Sequence, residues 1–291
     1  MSSTAPSKRT QPVNSLPSGK GVLDWVKPFL TTSVGMKVTT AITGTVLTLF
    51  VIGHLIGNLK LFAGQDALNG YAHFLQSLGV WLWVARGGLL VALVLHMTLA
   101  LYLKKKALAA RPVGYAHQNT VVASYASRTM PWTGALIFVF LLFHLAHYTF
   151  GLIGTVEANN YRDPGKVAHV RVGYLDLIDD KGRHDVYSMT VAGFHEPVLV
   201  ALYVLAQLFL MFHLSHGIGS VFQTLGVNTP RVQPFVRRLS WAVAVLLAAG
   251  NIALVTSVYM DWLGDDIVPR TKAGLPPPPP PPPPGMPPPK A

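Results

Sequence analysis

Six of the eleven histidines, His54, His96, His144, His147, His213 and His216, stand in long stretches that contain no Asp, Glu, Lys or Arg. Imidazole is the commonest protein ligand for metal ions. The chain has no cysteine, which excludes thiolate-held iron–sulfur clusters, thiolate zinc and disulfides and leaves histidine as the obvious metal ligand. A single histidine in an apolar stretch is accounted for by an interhelical hydrogen bond. Four stretches that each carry at least one point further, to a bound group. Proton relays and transporters also use such histidines, but they normally add acids or bases facing a cavity. Haem asks only for neutral imidazoles in a dry slot, and a second axial histidine closes the iron to oxygen, which favours electron transfer over catalysis.

The elements that hold these histidines must lie in lipid. The chain is 51% apolar and 12% charged, whereas a soluble domain carries about 25% charge. Crossing a hydrocarbon core takes about 20 apolar residues, and such stretches run approximately over Val38–Leu59, Gly87–Leu103, Met130–Thr155, Pro197–Gly226 and Leu239–Met260. None contains a formal charge, as the insertion cost of about 2.5–3.5 kcal/mol for a charge at a helix centre requires. The expected fold is an all-α membrane protein, a five-transmembrane-helix bundle enclosing two haems.

Charge sets the expected direction. Residues 1–37, 104–129 and 227–238 carry thirteen Lys and Arg against one acid, Asp24, while the opposite side carries ten against eleven. By the positive-inside rule the N-terminus is cytoplasmic and the C-terminus lies outside the cell membrane. Trp81 and Trp83 then belong to the outer interface, Trp132 and Trp241 to the inner one. The net charge of +11 is explained by topology, because a nucleic-acid footprint forms one contiguous patch.

Three domains are expected. Residues 1–35 form a polar segment without a signal-peptide core, with a short interfacial helix over 22–30. Residues 36–262 form the membrane domain, with an insertion at 156–195 whose turn at Asp179–Gly182 suggests a small hairpin. Residues 263–291 form a tail whose consecutive prolines, Pro276–Pro284, impose polyproline II.

Depth groups the histidines. At 1.5 Å per residue His54 lies about 25 Å beyond Lys37 and His144 about 24 Å beyond Arg128, while His96 lies about 12 Å from Lys104. His54 and His144 form an outer pair; His96 sits in the inner half, matched by His213 or His216. Thr43-Gly44 and Thr133-Gly134 each place a glycine ten residues before a histidine, His54 and His144. That offset selects His144 over His147 and suggests close approach of the helix backbone to a flat macrocycle.

These segments resemble the di-haem cytochrome b membrane anchors of succinate dehydrogenases and fumarate reductases, the single-polypeptide type with five spans. TGTVLTLFVIGHLIGN at 43–58 and WTGALIFVFLLFH at 132–144 are similar to the family's outer-haem segments; LVLHMTLALYLKKK at 93–106 and FHLSHGIGSVFQTLG at 212–226 are similar to its inner-haem segments. The resemblance covers roughly residues 33–260. It implies two b haems, held by His54 and His144 outside and by His96 and His213 inside, and so favours His213 over His216. It further implies a flavoprotein and an iron–sulfur subunit on the cytoplasmic face, and a quinone. The loop DALNGYAHFLQSLG at 66–79 is similar to the family's outer loop, which makes Asn69, Tyr71 and His73 candidates for the quinone site. Where some relatives carry a glutamate two residues before the fourth-span ligand, this chain has Met211, and the proline tail lies outside the resemblance. The alternatives are a cytochrome b of a hydrogenase or formate dehydrogenase, or a haem-free transporter or structural anchor.

Overall fold

A computed structural model describes residues 28–110, 124–163, 166–227, 229–264 and 270–271. In chain order the elements are α1 (Ser33–Asn58) with a 3-10 turn at Leu59–Ala63, α2 (Gln65–Ser77), α3 (Val80–Ala109), α4 (Tyr125–His144) with a π turn at Leu145–Thr149, β1 (Thr155–Asp163), β2 (Lys166–Gly173), β3 (Leu177–Ile178), α5 (Val186–Phe194), α6 (Pro197–Thr224), α7 (Gln233–Tyr259) and β4 (Arg270–Thr271). Helices α1, α3, α4, α6 and α7 are long and apolar enough to cross a membrane, and their outward faces are covered with large apolar side chains. A soluble monomer does not expose such a surface. The chain is a multi-pass membrane protein.

Most spanning helices begin before the stretches defined by absence of charge. Thr32 caps α1 by accepting from the Gly35 amide at 2.9 Å, so the helix already contains Lys37. Arg86 lies inside α3 with its guanidinium 5.0 Å from the Trp83 ring centre, an arrangement that suits an interface, where a charged tip and an aromatic ring both remain near water. Ser124 caps α4 in the same way as Thr32 caps α1. The third span stops at Thr149, short of Thr155, because the chain turns at Gly151 and Gly154, with φ of 58° and 94°.

Between the spans α2 lies at one end of the bundle, entered through Gly64 (φ 90°) and left through Gly79 (φ 54°), backbone conformations natural to glycine. The same end carries a four-stranded sheet of order β2-β1-β4-β3 and the short helix α5. We call it the capped end and the opposite one the open end. The sheet is an addition to the expected all-α class. The insertion does contain a hairpin, but it is β1 against β2, pairing Thr155 with Gly173 and Ala158 with Val170. The Asp179–Gly182 turn instead links β3 to α5, closing with the Gly182 amide on the Asp179 carbonyl at 3.1 Å. The longer alternating runs at 155–163 and 166–173, separated by Pro164-Gly165, carry the stronger hairpin signal. The expected helix over 22–30 falls largely outside the described residues, and the proline tail entirely so.

A polar clamp fixes the cap to the bundle. Asn69 of α2 is fully buried; its amide donates to Asp185 at 2.9 Å and to Asp179 at 3.3 Å, and its carbonyl accepts from the Tyr187 amide at 2.9 Å. Asp185 also caps α5 through the Ser188 amide and accepts from Gln65 at 2.8 Å. Arg183 bridges Asp179 and Asp66, each at 2.7 Å. Burial by itself raises the Asp179 carboxyl, but the bonds from Arg183 outweigh it and hold the group below the usual carboxylate range. Asp66 is held below that range by Lys181 and Arg183.

Replacing Asn69 by Ala removes an acceptor from the Tyr187 amide and a donor from two buried carboxylates, a cost of about 1–3 kcal/mol. The expected results are a lower unfolding temperature in detergent and faster proteolysis of residues 155–195. Both depressed carboxylates stabilise the cap above their unfolded value of about 3.9 and lose that contribution as pH falls through their lower folded values. The wild-type proteolysis rate should therefore be flat from pH 8 to 5 and rise only below about pH 4.

Candidate functional site

Helix α1 packs along α3, α4 along α6, and α1 against α6, while α7 is seated on α6. Among the described residues neither α1 and α4 nor α3 and α6 pack along their lengths. Histidine pairs meet across these two gaps. The rings of His54 (α1) and His144 (α4) stand 5.9 Å apart at 86°, and those of His96 (α3) and His213 (α6) stand 6.4 Å apart at 66°. Of the two histidines in α6, His213 is the one that faces His96.

The second nitrogen of most of these rings is bonded to protein. His96 Nδ1 donates to the Thr40 carbonyl at 3.0 Å and lies 3.5 Å from Thr43 Oγ1. His213 Nδ1 lies 3.3 Å from Thr133 Oγ1, and the Met130 carbonyl also accepts from this ring. His144 Nδ1 lies 3.1 Å from Tyr203 Oη. The carbonyl acceptors reserve Nδ1 of His96 and of His213 for the proton and leave Nε2 as the free lone pair, which is how metal-ligating imidazoles are usually oriented; the phenol beside His144 can donate or accept. His54 stacks on Phe50, with ring centres 5.5 Å apart.

The ring spacing of each pair is close to that of two imidazoles bound on opposite sides of one metal ion. With a nitrogen–metal distance of about 2.0–2.1 Å and about 1.1 Å from nitrogen to ring centre, two imidazoles facing across one ion stand about 6.3 Å apart. Either interplanar angle is acceptable, since each ring can turn about its own metal–nitrogen bond. His54 is exposed and the other three rings are half-buried, so they border accessible space and not solid core. Among the described residues no three His, Asp or Glu side chains converge.

Each of the two glycines lies against an imidazole of a neighbouring helix. A Cβ on Gly44 would lie 2.8 Å from His96 Cε1, and one on Gly134 would lie 3.2 Å from His213 Cε1. Thr40, Thr43 and Gly44 of α1 thus cradle His96 as Met130, Thr133 and Gly134 of α4 cradle His213, in the same register. Each helix that carries one histidine of the capped-end pair also seats one histidine of the open-end pair. The levels are ten residues apart along both helices, about 15 Å.

Tyr203, also ten residues before its own helix's His213, gives α6 the same two levels. That interval is its mark in the sequence. Gln207 has its Oε1 buried without a partner. His147 is fully buried beside Tyr203, with Nδ1 3.0 Å from the phenol oxygen and Nε2 without a partner. Of the three loop candidates, Asn69 has its amide committed to the cap clamp, Tyr71 packs its ring against Gly57 beneath Lys60, and His73 is exposed.

Because Gly44 has less room than Gly134, Gly44→Ala should displace its imidazole further. The expected result is a larger fall in unfolding temperature in detergent for Gly44→Ala than for Gly134→Ala. Compared with protein-family models, curated proteins and solved structures, the chain matches none of them.

Proposed function

We propose that this protein is the cytochrome b membrane anchor of a succinate:quinone oxidoreductase. The observation that carries the reading is the pair of facing imidazole couples at two levels of one helix bundle, each at the spacing of axial haem ligands. Two b haems would supply one-electron transfer between an iron–sulfur partner at one membrane face and quinone near the other. The chain's own residues bind and orient. His54 and His144 take one haem, His96 and His213 the other, and the Thr and Gly residues of α1 and α4 fix the second pair of rings.

The choice among cytochromes b rests on the four segments that resemble the succinate dehydrogenase and fumarate reductase anchors, in order and on five spans. The excess of Lys and Arg at the open end favours that end as the cytoplasmic face and as the docking face for the flavoprotein and iron–sulfur subunits. Lys106 reaches across it to Ser33 at 2.9 Å. Asn69 serves the cap in this reading, which leaves Tyr71 and His73 as the loop's available polar groups for quinone.

The test is a set of single substitutions in the isolated complex. Replacing His96 or His213 with Leu should remove the open-end haem and interrupt electron entry from succinate. Replacing His54 or His144 should remove the capped-end haem and leave the other reducible by succinate. His216→Ala should retain both. Copurification with a hydrogenase or formate dehydrogenase catalytic subunit, in place of a flavoprotein, would reassign the partner.

A further inference from the structure

The two imidazole pairs are held by different kinds of acceptor. The open-end pair bonds helix carbonyls and threonine hydroxyls. In the capped-end pair His144 has a phenol, Tyr203, and that phenol is shared with His147: Oη lies 3.1 Å from His144 Nδ1 and 3.0 Å from His147 Nδ1. Tyr203 is 5% exposed. Its ring is wedged edge-on between Phe140 and Phe194, both with centres 5.0 Å away, so the hydroxyl has one accessible position.

Resting on the haem reading above, we infer that Tyr203 is a positioning residue that sets the electron-donating strength of His144 toward the capped-end haem. The proton order follows from chemistry. If Nε2 of His144 faces the iron, Nδ1 carries the proton and donates to Tyr203 Oη. The phenol then turns its single proton to His147 Nδ1. His147 must carry its own proton on Nε2, the buried nitrogen that has no partner. The π turn at Leu145–Thr149, which begins one residue after His144, holds the His147 ring in that place. Thus His147 orients Tyr203, and Tyr203 orients His144.

A ligand imidazole that donates from Nδ1 is the more basic donor at Nε2. It favours the oxidised metal. Removing the acceptor should therefore raise the potential of that one haem. Tyr203→Phe deletes the oxygen and keeps the wedged ring. Tyr148→Phe is the control: it lies beside His147, with ring centres 4.0 Å apart, and its buried hydroxyl has no partner.

The experiment is a redox titration of both haems in purified wild-type protein and the two variants, followed by optical and ferric EPR spectra. In Tyr203→Phe the capped-end haem should shift toward its reduced form by up to about tenfold, about 59 mV for one electron, with its EPR signal altered and the open-end haem unchanged. Tyr148→Phe should match wild type. Loss of the capped-end haem from Tyr203→Phe alone would support the same role. Two unshifted haems in Tyr203→Phe, or an equal shift in Tyr148→Phe, would overturn the inference and leave the haem reading standing. Wild-type protein without haem would overturn both.

Discussion

An imidazole has two nitrogens, and tying one down fixes the direction in which it offers the other. In this bundle the ties come from neighbouring helices. His96 of α3 is held by Thr40 on α1, His213 of α6 by Thr133 on α4, and His144 of α4 by Tyr203 on α6. Because no tie is local to its own helix, ring orientation exists only when the helices are assembled. Anything that moved α1 against α3, or α4 against α6, would turn a ring as well as open a packing interface.

The ten-residue interval follows from helix geometry. Ten residues advance a helix by about 15 Å and leave its two contact directions about 80° apart, close to the corner of a four-helix square. Helix α1 can therefore face α3 with Gly44 at one level and α4 with His54 at the other. Helix α4 does the same with Gly134 toward α6 and His144 toward α1, and α6 with His213 toward α3 and Tyr203 toward α4. Two stacked sites can then be built from four helices with each helix serving both levels. Gly44 and Gly134 are the points where this arrangement leaves least room, since a methyl group there would press on an imidazole.

Much of the membrane architecture was legible because lipid imposes simple rules: length, apolarity and exclusion of charge. The helix boundaries were not, since Lys37 and Arg86 lie inside helices that run on into the interfacial region, where charge is tolerated. The facing of His54 with His144 was legible from depth, whereas depth left His213 and His216 open and the ring that meets His96 is His213. What the glycines touch was beyond the pattern, because a glycine's spacing shows that something approaches but not which ring it is. Tyr203 was missed because an apolar helix with one tyrosine reads as ordinary lipid-facing sequence. The sheet at the capped end was partly legible in the alternation of 155–173, while β4 pairs with a strand more than a hundred residues earlier, with Arg270 beside Asn159, and no local signal announces such a contact.

The cap and the bundle meet through polar groups that sequence position does not connect: Asn69 lies more than a hundred residues from Asp179 and Asp185, yet binds both. That clamp closes the end of the bundle where His54 and His144 face each other. The most direct measurement of axial ligation by the facing pairs is a pyridine haemochrome assay on the purified chain, normalised to protein, with a low-temperature spectrum of the reduced form. Two b haems per chain with two resolvable low-spin signals is the predicted result; one haem or none would contradict it.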